Sequence, residues 1–126
     1  LLHCDEVWLV LLIDMTLSEE YDDLVRVSKI YPKNRTIEYP VLGMCGETGE
    51  VAEKVKKTIR DNRNKYDAAT KAAILKELGD VLWYLVATTQ DLGYTFDDVI
   101  ENNMTKVNNR IATNTQHGKG DNREEV

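Results

Sequence analysis

Apolar residues recur every three to four positions across nearly the whole chain, and no stretch alternates apolar and polar long enough to make a strand. That period belongs to helices that each bury one face, so the expected fold is all-α. Over 68–91, Ile74, Leu78, Leu82, Leu85 and Thr89 share one face, and Gly93 stands where a left-handed cap would end the helix. Thr16 and Glu19 have the spacing of a capping box opening a first helix over 17–31, with Leu17, Leu24, Val27 and Tyr31 as its stripe, ended by Pro32. Pro40 suits a first helical turn, and Val41, Cys45, Ala52, Val55 and Ile59 carry a second helix to about Asn62. Thr95 and Asp98 form a second capping box, starting a fourth helix with Ile100, Met104, Val107 and Ile111 turned inward.

Four such helices joined by short loops make a four-helix bundle-type domain over 15–113. With 126 residues there is room for one core. The apolar stripes are broad for so small a chain, which favours a homo-oligomeric helical bundle, a dimer or tetramer. Residues 114–126 are polar and form an expected flexible tail, whereas residues 1–14 hold the apolar run 7–13 and read as an N-terminal extension. That run is too short to span a bilayer, and Asp5, Glu6 and Asp14 flank it where a signal peptide would be basic. No membrane association and no secretion are expected.

Charge narrows the function. With 16 Lys and Arg against 22 Asp and Glu, the net charge is −6, which argues against stable nucleic-acid binding, because a phosphate-tracking surface must be basic. Cys4 and Cys45 read as free thiols of a reduced, cytoplasmic compartment, Cys45 as a small buried one. His3 and His117 lie near opposite ends with no other ligand types around them, leaving no support for a histidine base or a zinc site. Chemistry in this chain must be carboxylate chemistry.

The carboxylates come in blocks. Glu47, Glu50 and Glu53 recur at spacings of three on the second helix, and Glu77 and Asp80 do so on the third. Such a pair shares one helical face, so two antiparallel helices can bring Glu47, Glu50, Glu77 and Asp80 together. Like charges so placed call for a hard divalent cation, Mg2+ first and Mn2+ as a substitute. Glu77 and Asp80 also interrupt the apolar stretch 74–86, which places them near the core edge, where unpaired ionised acids are expensive. Gly43, Gly46, Gly49 and Gly79 lie among these acids, and interior helical glycines suggest close backbone approach. Glu53 reads as a surface partner of Lys56 or Lys57.

The stretch Gly46 Glu47 Thr48 Gly49 Glu50 Val51 Ala52 Glu53 Lys54, followed by Glu77 Leu78 Gly79 Asp80 Val81 Leu82 Trp83 Tyr84 Leu85, resembles the MazG-like nucleoside triphosphate pyrophosphohydrolases. Asn103, Lys106 and Arg110 are similar to that family's closing Asn-x-x-Lys and Arg, so the resemblance spans about 39–110. It implies an all-α, oligomeric enzyme that uses magnesium to cleave nucleoside triphosphates to the monophosphate and pyrophosphate, with Glu47, Glu50, Glu77 and Asp80 as catalytic metal ligands. One departure is Gly46, where many members carry a further acid.

Cationic groups are chemically required around a triphosphate. Asn103, Lys106 and Arg110, on one face of the fourth helix, are the first candidates; Lys54 and Tyr84, each one turn beyond an acid, complete the expected substrate-binding set. Trp83 reads as core or interface. Three alternatives stand beside this reading: a narrow-substrate relative acting on deoxycytidine or deoxyuridine nucleotides or on phosphoribosyl-ATP, a di-iron bundle, and a non-catalytic helical oligomer that binds a partner. The di-iron case lacks the Glu-x-x-His motifs it would need.

Overall fold

The computed structural model describes residues 14–35 and 37–118. Among them the chain forms four α-helices and no strand: α1 (Leu17–Ser28), α2 (Glu38–Asp61), α3 (Ala68–Asp91) and α4 (Phe96–Ala112), with a 3-10 turn at Lys33–Arg35 between the first two. The fold is all-α, as expected. Cys4 and the apolar run 7–13 lie outside the described residues, as does most of the polar tail.

Both capping boxes form. Thr16 accepts from the Glu19 amide and Glu19 returns a bond to the Thr16 amide, and Thr95 and Asp98 do the same at α4. Asp67 caps α3 by accepting from the Thr70 amide at 2.8 Å. Gly93 adopts φ +87° at the end of α3, a left-handed conformation that glycine takes without a Cβ clash. Pro40 falls in the first turn of α2, where its missing N–H removes no helical bond.

The long helices α2 and α3 form an antiparallel hairpin, and α1 and α4 lie against the second half of α3. There Val25, Val86 and Ala87 are fully buried, with Tyr21, Tyr31, Leu82, Trp83, Leu85 and Phe96 packed around them. One buried acid, Asp22, ties three helices: it accepts from Gln90 Nε2 at 2.6 Å and from the Phe96 amide at 3.1 Å. Ser18 Oγ donates to Asp97 Oδ1 at 2.6 Å, joining the first turns of α1 and α4.

Several inward assignments are corrected. Leu17, Leu24 and Val27 of α1 are exposed, because the bonds of Asp22 turn that residue and Val25 toward α3 instead. Met104, Val107 and Ile111 of α4 are exposed as well, as are Leu78, Ile59 and the Cys45 thiol. Among the described residues α1 and α4 pack mainly on α3 and on each other, which leaves these apolar faces uncovered. Helix α1 also stops at Ser28, whose hydroxyl donates back to the Leu24 carbonyl, ahead of the expected end at residue 31.

Candidate active site

Glu47 on α2 faces Glu77 and Asp80 on α3. One carboxylate oxygen from each of the three lies within 4.8 Å of the other two. The spacing of three puts Glu77 and Asp80 on one face, and the antiparallel hairpin brings Glu47 opposite them. An all-oxygen, all-anionic donor set of this size fits a hard divalent cation and suits a soft metal poorly. Glu47 and Glu77 are half-buried, whereas Asp80 is exposed rather than held at the core edge.

Electrostatics at the cluster follow from crowding. The Glu47 carboxyl is pushed above its ordinary value, first by desolvation and then by the negative charges of Asp80, Glu77 and Glu50. Glu50 is therefore close enough to be felt, yet its carboxylate is exposed and outside the group of three. Lys54, two turns beyond Glu47, reaches across to α3 and pairs with Glu77 at 3.1 Å. Glu53 turns away to Lys56 at 2.6 Å and Lys57 at 3.5 Å, the surface pairing expected of it.

Beside the acids lies an open cleft of roughly 440 Å³ lined by Ser28, Ile30, Glu47, Asp80, Trp83 and Tyr84. Trp83 and Tyr84 supply its aromatic wall, and Trp83 packs on further rings. Tyr31 stacks on Tyr39 with ring centroids 4.9 Å apart and meets Trp83 edge-on at 6.4 Å. Trp83 Nε1 donates to Ser28 Oγ at 2.9 Å, so the indole is anchored by a polar bond as well as by packing. Tyr84 is pushed above its ordinary value by burial and then by Tyr39, Glu47 and Asp80 nearby.

The close backbone approach expected at the glycines occurs at Gly43, where a β-carbon would fall 2.3 Å from Tyr84 Cε1. Gly46, Gly49 and Gly79 have no such neighbour. No local pattern marks Ser28 or Ile30 for the cleft, since the turn between α1 and α2 brings them there, and Tyr31 reads from the sequence only as part of the α1 stripe. Asn103, Lys106 and Arg110 lie on α4, Asn103 exposed and the other two half-buried, and none of them lines the cleft.

A model of the MazG nucleotide pyrophosphohydrolase domain matches residues 35–113, which takes in α2, α3, α4 and every carboxylate of the cluster. The chain belongs to the MazG nucleotide pyrophosphohydrolase family. It is also 34% identical over 87 residues to the Gene 37 protein of Mycobacterium phage L5, covering 69% of this chain and 76% of that protein. No solved structure matches. In this MazG-family chain, no helix among the described residues is long and apolar enough to cross a membrane.

Proposed function

We propose that the protein hydrolyses nucleoside or deoxynucleoside triphosphates to the monophosphate and pyrophosphate in the cytoplasm, with Mg2+ as its cofactor and Mn2+ as a substitute. The observation that carries this reading is the convergence of Glu47, Glu77 and Asp80 within 4.8 Å at the edge of an aromatic cleft. Glu47, Glu77 and Asp80 would hold the cation, and Glu50, one turn along the same face of α2, would join them. A cation bound there would supply charge neutralisation for phosphate oxygens and would acidify a bound water.

The chain's own residues supply the rest. The carboxylate cluster orients water at the phosphate end, and one of its acids accepts the water's proton. Trp83, Tyr84 and Ile30 offer apolar contact area to the nucleoside, the two rings meeting edge to face. Lys54 adds positive charge beside the acids, and Asn103, Lys106 and Arg110 of α4 are assigned to the phosphates. The uncovered apolar residues of α1 and α4 support assembly as a homodimer or homotetramer, which would also give those α4 side chains a second chain's cleft to serve.

Product analysis tests the proposal. Incubation with a panel of ribo- and deoxyribonucleoside triphosphates should release the monophosphate and pyrophosphate with Mg2+ and neither in EDTA. Release of orthophosphate and a diphosphate instead would reject it.

A further inference from the structure

The ion pair between Lys54 and Glu77 joins α2 to α3 at one end of the carboxylate cluster, with Nζ and Oε1 3.1 Å apart. Other cations near the hairpin are engaged elsewhere: Lys56 and Lys57 with Glu53, Arg60 with Asp61, and Lys29 with Asp91. Lys54 alone of these five is spent on an acid of the cluster. Its side chain is about one-third exposed and that of Glu77 is 17% exposed, so the pair is shielded on the acid's side and reachable by solvent on the lysine's.

Three carboxylates within 4.8 Å repel one another across the helix interface. An ammonium placed on one of them reduces that repulsion and lets α2 and α3 keep their acidic faces together without any other cation. The same placement has an opposite consequence for a metal. A divalent cation binds a carboxylate oxygen at about 2 Å, and an ammonium on the same carboxylate draws off part of its charge and repels the incoming cation.

We infer that Lys54 is the resident counter-ion of the carboxylate cluster, competing with a divalent cation for Glu77. It is a positioning residue: it holds Glu77 in place in the metal-free protein and opposes a cation that takes the same carboxylate. The inference rests on the proposed metal-binding role of Glu47, Glu77 and Asp80.

Titration of the full chain with Mn2+, counting free ion by electron paramagnetic resonance, tests this without any turnover. Lys54→Met keeps the apolar stem and removes the charge, and Lys54→Gln does so with a polar end should the first variant fold poorly. Removing the competitor should tighten Mn2+ binding roughly five-fold in either variant, while the metal-free melting temperature falls. Lys54→Arg, which keeps the charge, should restore binding to the wild-type value. A structural role alone would lower the melting temperature and leave the Mn2+ affinity where it was. Unchanged or weaker Mn2+ binding in folded charge-removal variants overturns the inference. Absence of Mn2+ binding by the wild type overturns the metal-binding reading and this inference with it.

Discussion

Tyr84 lies across the bare backbone of Gly43, so close that a β-carbon there would fall 2.3 Å from Tyr84 Cε1 and 2.5 Å from Cζ. Glu47 follows Gly43 by one turn on α2, and Asp80 precedes Tyr84 by one turn on α3. The contact therefore sets how α2 and α3 approach just where the acids meet. Substituting Gly43→Ala should force the ring or the helix aside and destabilise the protein by about 1–3 kcal/mol, although alanine is the better helix former. Gly46→Ala and Gly79→Ala, which meet nothing within 4 Å, should instead stabilise it by up to about 1 kcal/mol. Urea unfolding of the three variants checks both signs.

Divalent cations should stabilise the folded chain by mass action. At a Mg2+ concentration of one hundred times its dissociation constant the gain is about 2.7 kcal/mol. Matching the ionic strength with NaCl should not reproduce it, since simple screening acts without a site. Glu77→Gln and Asp80→Asn should each abolish the Mg2+-dependent rise in melting temperature.

The Tyr31 hydroxyl donates to Asp91, and Lys29 pairs with the same carboxylate at 2.9 Å. Burial, followed by that hydrogen bond and the charge of Asp91, pushes the Tyr31 phenol well above its ordinary value of 10.0. A raised phenol stabilises the fold fully below the unfolded value, and that contribution is lost as pH rises past it toward the folded one. Tyr31→Phe should thus cost about 1 kcal/mol at pH 7, with the gap to wild type narrowing above pH 10. Denaturation at pH 7, 9 and 10.5 measures the gap, and a gap that stays constant would rule out the phenol as its source.

Met104, Val107 and Ile111 form an apolar stripe on one side of α4, and Met104 and Ile111 are each 57% exposed. Val107→Glu should lower the mass found by sedimentation equilibrium while leaving helical circular dichroism intact, because the substituted side chain faces outward within one chain. A wild type that sediments as a monomer would contradict the assembly proposed above.

What could be read from the sequence was what depends on neighbours in the chain. The caps at Thr16 and Thr95 and the turn at Gly93 follow from residues three or four positions apart, and so does the pairing of Glu77 with Asp80 on one face. Burial was read less well. Leu24, Val27 and Met104 have helical spacing, but a stripe shows that a face exists and not what covers it; in α1 the bonds of buried Asp22 chose the other face. Asp22 itself gave no signal, since its partners Gln90 and Phe96 are distant in sequence. The packing of Tyr31 on Tyr39 and Trp83 escaped for the same reason: they meet only after the turn at Lys33–Arg35 folds the chain back.

The proposed cleavage of a nucleoside triphosphate by a carboxylate cluster built by α2 and α3 is open to one decisive measurement: pyrophosphate release in the presence of Mg2+ from wild type, Glu50→Gln and Asp80→Asn, each first shown to be helical. Release by the wild type alone, suppressed by EDTA, is the predicted result. Wild-type rates in either variant would contradict the assignment of that acid, and EDTA-resistant release from all three would contradict the mechanism.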